Sequence, residues 1–308
     1  MKILVTGASG FIGAAVCEEL LAHGHEVAAL VRDGEHWRLD PIRRSMLVIV
    51  ADLARCASWQ EPVREFRPDS IAHLAWTGVR GADRDSPSQA ANIGWTTDLL
   101  DICHRSGAST FLGVGSQAEY GPKQVAITED DATNPTTQYG KAKLAAGRDI
   151  AKIAELRGMR HIWMRAFSIY GEGDHPHWLI PYLIGALLRG ERPSLTAGEQ
   201  LWDFLHIRDA AAAMRIALEN PQAKGVYNLG SGYAPPLRRT IETIRDLIDP
   251  RAALGWGEIA YRPDQVMTLQ ADIARIKMLG WEPTITIAEG LARSVEWYRR
   301  NLWIYDIE

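Results

Sequence analysis

Thr6-Gly7-Ala8-Ser9-Gly10-Phe11-Ile12-Gly13 lies between an apolar run, Lys2 to Thr6, and a helical pattern over Ile12 to His23, and it decides how the rest of the 308-residue chain is read. Its glycines let the chain leave a strand in a tight turn, let the backbone approach a pyrophosphate, and let the next helix pack closely on the strand. The helix start then offers unpaired N–H groups and the positive end of its dipole to an anion. Such glycine spacing is common by itself; its position between strand and helix makes it a dinucleotide-binding signal. Gly7, Ser9, Gly10, Phe11, Ile12 and Gly13 are therefore the expected cofactor loop.

Outward from this loop, strand-like runs at Glu26 to Val31, Leu47 to Val50, Ser70 to Leu74, Thr110 to Val114 and His161 to Ala166 alternate with helical patterns such as Ile93 to Arg105. Their continuous apolar character suits strands covered on both faces. The alternation predicts an α/β fold, a Rossmann-type doubly wound parallel sheet with a smaller α/β substrate-binding lobe. Past residue 170 the rhythm breaks at Gly171, Gly173, Pro176, Pro181, Gly190, Pro193 and Gly198. The expected division is a dinucleotide-binding domain over 1–170, with 203–231 returning to it, and a substrate lobe made of 171–202 and 232–308. There is no repeat or linker-like tract, so the lobes are expected to pack together.

Composition narrows the partners. A formal charge of −4 and a pI of about 6.2 give no basic field for a phosphate backbone, which argues against nucleic acid. The odd number of scattered cysteines, Cys17, Cys56 and Cys103, fits neither a disulfide framework nor a zinc site. No metal is expected, and a reducing cytoplasm is the expected location. No apolar run reaches the ~20 residues a membrane span needs. The tryptophans, several of them in the second half, read as core packing.

The second strand ends Leu30-Val31-Arg32-Asp33. Val31 cannot accept a hydrogen bond from an adenosine ribose, whereas the planar Arg32 guanidinium suits a 2′-phosphate, so NADPH is expected. The other reading moves the carboxylate role to Asp33 and leaves NAD(H). Asp52, with Leu53 after the third strand, is placed either to meet the adenine amino group or to cap a helix.

Tyr139 and Lys143 stand four residues apart and so share a face of a helix that Pro135 and the polar run before it can start. Ser116 follows the strand Thr110 to Val114 at the carboxyl edge of the sheet, where ligands of such folds bind. Reduction of a carbonyl leaves an alkoxide that needs a proton and a preorganised donor. Tyr139 can give the proton, an ammonium from Lys143 can ease its ionisation and hold the ribose, and Ser116 can orient the carbonyl. Asn92 either supports this constellation or has a capping or interhelical role.

Together these residues resemble the extended short-chain dehydrogenase/reductase family of NAD(P)-dependent sugar-nucleotide epimerases, dehydratases and ketoreductases. The resemblance also rests on His73-Leu74-Ala75, Arg165 to Gly171, Asp203-Phe204 with His206 and Asp209, Tyr227 to Gly232, Arg262-Pro263, Asp272 and Leu279-Gly280-Trp281 with Pro283. It implies Ser116, Tyr139 and Lys143 as the catalytic set, Leu74, Ala75 and Asn92 beside the cofactor, and a nucleotide-diphosphate sugar as substrate. It assigns substrate contacts to Gln117, Ser168, Leu179, Trp202 and Arg262, the last gripping the diphosphate; a surface ion pair is the other reading of Arg262. It further implies a homodimer pairing through the helices of Asn92 and Tyr139.

The departures bear on the reaction. In the 4,6-dehydratases an Asp-Glu pair follows the Ser/Thr of this motif; here Gln117 and Ala118 stand there, and neither can move a proton. Glu119 lies one position off. Trp202 replaces a second arginine, Ser168 an asparagine, and Trp178 another asparagine. The runs Gly115 to Gly121, His73 to Trp76 and Leu201 to Phe204 resemble reductases of nucleotide-linked 4-keto-6-deoxy sugars such as the CDP-abequose synthase group. The expected reaction is NADPH-dependent reduction of a 4-keto group; a 4-epimerase of a nucleotide hexose is the alternative, and a non-catalytic dinucleotide sensor is the third.

Overall fold

In the computed structural model, which describes residues 1–32, 34, 36–262 and 265–306, the first part of the chain runs β1 (Lys2–Thr6), α1 (Phe11–Ala22), β2 (Glu26–Val31), β3 (Leu47–Val50), α2 (Gln60–Phe66), β4 (Ser70–His73), α3 (Ala91–Arg105), β5 (Thr110–Ser116), α4 (Gln138–Leu156) and β6 (Arg160–Ala166). Then follow β7 (Ser168–Tyr170), α5 (Leu179–Leu188), β8 (Leu201–Trp202), β9 (Phe204–His206), α6 (Ile207–Glu219), β10 (Gly225–Leu229), α7 (Leu237–Ile248), β11 (Thr268–Leu269), α8 (Ala274–Lys277) and α9 (Ile287–Arg300). The main sheet has seven parallel strands in the order β10-β6-β5-β4-β1-β2-β3. This is the α/β, doubly wound arrangement expected.

The order reverses between β1 and β4, so the crevice at their carboxyl ends is the place for a ligand. Thr6 and His73 pair there in register, and the Thr6 hydroxyl lies 2.7 Å from His73 Nδ1 while His73 Nε2 lies 3.0 Å from the Thr96 hydroxyl. Burial above all, with Lys143 nearby, pushes His73 down to about 3, which keeps this seam neutral. β5 runs two residues beyond the expected Val114, because Gly115 and Ser116 continue the register opposite Arg165 and Ala166. Ser116 is thus fixed as the last residue of a central strand.

Both faces of the sheet are covered. Val5, Val16, Leu20 and Met214 belong to the core on the α1 and α6 side; Leu4, Ile71, Leu100, Phe111 and Ile150 belong to the opposite core, under α3 and α4. A third cluster, including Leu183, Ile184, Ile241, Ile244, Leu291 and Val295, joins α5, α7 and α9. After that excursion α6 packs on α1 and β10 extends the sheet beside β6. Leu269, Ala271, Ile276 and Trp281 pack with the α1-side core, although their stretch follows α7 in sequence.

Several motif residues hold these parts together. The Asp203 carboxylate accepts from the N–H groups of Ser231, Gly232 and Ala271 and from the Ser231 hydroxyl. Asp209 accepts from the backbone of Thr284 and Ile285, and its carbonyl accepts from the Trp281 indole. Buried polar groups of this kind are tolerated only when satisfied, which gives these positions a structural use independent of chemistry.

Candidate active site

A cleft of about 1210 Å³ opens along the carboxyl ends of the strands. Its walls include Gly7, Ser9, Gly10, Phe11, Ile12, Gly13, Arg32, Asp52, Leu53, Leu74, Ala75, Asn92, Ser116, Gln117, Tyr139, Lys143, Ser168, Leu179 and Trp202. Arg262 is exposed and does not line it; Ile259 and Gln265 do, from the same segment. Asp33 and Pro263 lie outside the described residues.

The glycine loop fits a dinucleotide. Gly7 has φ +68°, and a Cβ there would stand 2.7 Å from the Ala75 nitrogen, against the chain leaving β4. A Cβ on Gly13 would overlap the Gly7 carbonyl oxygen, so helix and turn meet backbone to backbone. Gly10 caps α1 without a side-chain bond, and the first turn holds no acidic residue, which leaves the positive helix end facing the cleft. Arg32 is exposed at the end of β2 and lines the cleft. Asp52 forms a local turn, accepting from Ala54 N–H at 3.0 Å, and caps no helix. Asn92 accepts from Thr77 N–H at 2.9 Å and donates to the Thr77 and Gln89 carbonyls, which pins the wall after β4.

The central residues meet as their spacing predicts. Thr137 caps α4 by accepting from Gly140 N–H at 3.1 Å, a start signal more specific than Pro135. Tyr139, only 8% exposed, lines the cleft together with Ser116. The Ser116 hydroxyl accepts from Ala118 N–H at 3.2 Å, so its own proton is directed elsewhere. Burial raises Tyr139 above the usual tyrosine value, while the Arg84 charge and the neighbouring Ser116 hydroxyl pull it down. Lys143 Nζ donates to the Val114 carbonyl at 2.7 Å and lies 3.7 Å from the Trp76 ring centre. Burial depresses Lys143 to about 7, opposed by the Glu119 charge.

Glu119 has a different office from the acids of a dehydratase. Fully buried, its carboxylate accepts from Ser116 N–H at 2.9 Å, the Trp163 indole at 3.0 Å and Arg165 Nε at 2.7 Å. It closes a capping box on the turn after β5 and holds Ser116 from behind. Trp202 donates its indole N–H to the Ser168 hydroxyl at 2.7 Å, so two of the expected substrate contacts are tied to each other.

The sequence reading missed the loops that close the cleft. Arg80 meets His175 across it, and Arg84 lies on the Tyr139 ring. Asp174, 4% exposed, lines the cleft beside Arg38 and is raised by burial to about 7. Trp37 stacks on Trp297 at 6.0 Å and meets the edge of Trp303 at 4.9 Å, while Arg38 Nε donates to the Gly173 carbonyl at 2.9 Å. No periodicity marks these residues. Among the described residues no group of three or more His, Cys, Asp or Glu is placed to hold a metal, and no helix is long and apolar enough to cross a membrane.

The sequence model of the NAD dependent epimerase/dehydratase family matches residues 3–230. The chain belongs to that family. Among the chain's relatives, a dTDP-glucose 4,6-dehydratase of Salmonella typhimurium is 27% identical over 100% of this chain and 96% of its own length. An uncharacterized UDP-glucose epimerase, YtcB, of Bacillus subtilis is 29% identical, covering 96% and 97%. The solved structure of MoeE5 in complex with UDP-glucuronic acid and NAD superposes with a TM-score of 0.83 at 29% identity, over 98% of this chain and 100% of that one. Membership makes the chain an enzyme of the NAD-dependent epimerase/dehydratase type.

Proposed function

We propose that this enzyme reduces the 4-keto group of a nucleotide-linked 4-keto-6-deoxy sugar, with NADPH as cofactor. The observation that carries the chemistry is that Ser116, the buried Tyr139 and Lys143 line the same cleft as the glycine loop. Bound along Gly7 to Gly13, a nicotinamide dinucleotide supplies the two-electron equivalent. Tyr139 gives its phenolic proton to the sugar oxygen as negative charge develops on it. Ser116 Oγ donates a hydrogen bond to the same oxygen and holds it in place. Lys143 offers its ammonium to the ribose, and Asn92 keeps that wall in position.

Two features support reduction over elimination of water. Gln117 and Ala118 carry no transferable proton at the positions where a dehydratase keeps carboxylates, and Glu119 is fully engaged behind Ser116. Arg32, at the end of β2 where Val31 cannot bond a ribose, supports the phosphorylated cofactor. A 4-epimerase is the second reading, favoured by the UDP-glucose epimerase name of the Bacillus relative. We read the assembly as a homodimer formed through α3 and α4.

Fluorescence titration of the nucleotide-free protein with NADPH and NADH tests the cofactor. Tighter NADPH binding, weakened about tenfold or more in Arg32→Asp, is expected, since a charged hydrogen bond is worth roughly 1.5–3 kcal/mol. Net oxidation of NADPH by a 4-keto-6-deoxy sugar nucleotide completes the case. Turnover of a nucleotide hexose with no added cofactor places the epimerase first.

A further inference from the structure

A buried tyrosine that exchanges protons needs a neighbouring cation, and Lys143 is the residue whose spacing offers one. Its ammonium donates to the Val114 carbonyl, lies on the Trp76 face and stands 5.9 Å from the centre of the Tyr139 ring. A second cation faces that ring. The Arg84 guanidinium carbon lies 4.3 Å from the ring centre of Tyr139, within the range of a cation over an aromatic face. Its turn, Gly81–Asp85, is docked on α4 by Asp85, which accepts from Gln138 N–H at 3.2 Å, and Arg84 Nη1 donates to the Val79 carbonyl at 3.4 Å. Among the described residues no carboxylate forms an ion pair with Arg84, so its charge is not spent elsewhere.

The groups facing Tyr139 come from every element packed on it. They are Arg84 from the Gly81–Asp85 turn, Ser116 from the end of β5, Glu119 from the turn that follows, Lys143 from α4 itself, and the uncharged Trp76 edge, 6.3 Å away, from the chain after β4. Of these, Arg84 and Ser116 ease ionisation, whereas Glu119 opposes it.

We propose that Arg84 is a positioning residue that acts through Tyr139: held over the ring by its turn, it favours the phenolate and sets the pH range in which Tyr139 transfers its proton. The inference rests on Tyr139 being the proton-transfer group. It adds a loop residue after β4 to the cation that the spacing of Lys143 already provides.

Ultraviolet difference titration tests this without turnover, with Tyr139→Phe subtracted to remove the signal of the other tyrosines. In Arg84→Gln the Tyr139 midpoint moves to higher pH, with about fivefold less phenolate at a given pH on the rising limb, the size expected of a cation on an aromatic face. Arg84→Lys, which keeps the charge and loses the planar fork, recovers part of the shift. The Tyr139-dependent limb of the pH–rate profile moves alkaline by the same amount, whether the enzyme is run as a reductase or an epimerase. An unmoved midpoint and limb in a folded Arg84→Gln protein overturn the inference. So does a lower kcat with both unmoved, because that is the mark of a purely structural residue. If Tyr139→Phe keeps full turnover, the proposed function fails instead, and the titration still reports on Arg84 alone.

Discussion

At the glycine-loop end of the cleft the wall is backbone: Gly7 stands against the chain of Leu74 and Ala75, and Gly13 against the Gly7 carbonyl. At the Tyr139 end the wall is made of side chains sent from separate segments, with Ser116 from β5, Tyr139 and Lys143 from α4, Arg84 from the turn after β4, and Asp174 and His175 from the loop after β7. The first end leaves no room for a Cβ at Gly7 or Gly13 and has the shape of a dinucleotide loop. The second depends on charge and hydrogen bonds, and it can change its substrate by changing loops that carry no part of the sheet.

The largest effect that sharpens this contrast concerns the carboxylate behind the catalytic edge. Glu119→Ala leaves the Arg165 guanidinium buried without its partner, and loss of one member of a buried pair costs about 3–5 kcal/mol. Urea denaturation is the measurement. A loss below about 1 kcal/mol means that the Ser116 turn is not held from behind, and the side-chain end is then less ordered than described.

A smaller effect is expected at Asp174, through pH. Its folded value, about 7, lies above the ordinary 3.8, so the folded protein binds the proton more tightly than the unfolded chain does. The associated stability is full below pH ~4 and is lost as pH rises to about 7, a decline of order a few kcal/mol at most. Asp174→Asn removes that decline, which thermal melts between pH 4 and 8 detect. Lys143 works in the opposite window: its folded value of about 7 lies below 10.5, so stability regained between about pH 7 and 10.5 belongs to it. Identical pH profiles for wild type and Asp174→Asn show that the cleft solvates this carboxyl.

The smallest expected change in folding stability, about 1–3 kcal/mol of overpacking, comes from Gly13→Ala. Here the contrast is tested by a second reading: dinucleotide affinity falls together with stability, because the atoms displaced are those of the loop itself. Unchanged cofactor titration curves in Gly13→Ala contradict a backbone-built site.

This asymmetry also explains what the sequence made readable. Glycines that exclude a Cβ, apolar strand runs and the Tyr139 to Lys143 spacing are local constraints, and the sheet, its strands and the central residues follow from them. Ser116 was legible for the same reason, as the end of a strand. Arg80, Arg84, Asp174 and Trp37 lie on turns whose approach to the cleft is fixed by long-range packing, which no periodicity records. Arg262 shows the reverse: a motif position is readable as a diphosphate grip, while its segment presents Ile259 and Gln265 to the cleft. Glu119, one position out of register, needed the capping box to reveal why it cannot reach a sugar.

The stacking of Trp37 on Trp297 has a mechanical meaning. With Arg38 bonded to the Gly173 carbonyl, it fastens the chain after β2 to α9 and to the loop that carries Asp174. Arg38 and Asp174, which both line the cleft, are thus held in place by aromatic contacts made outside it.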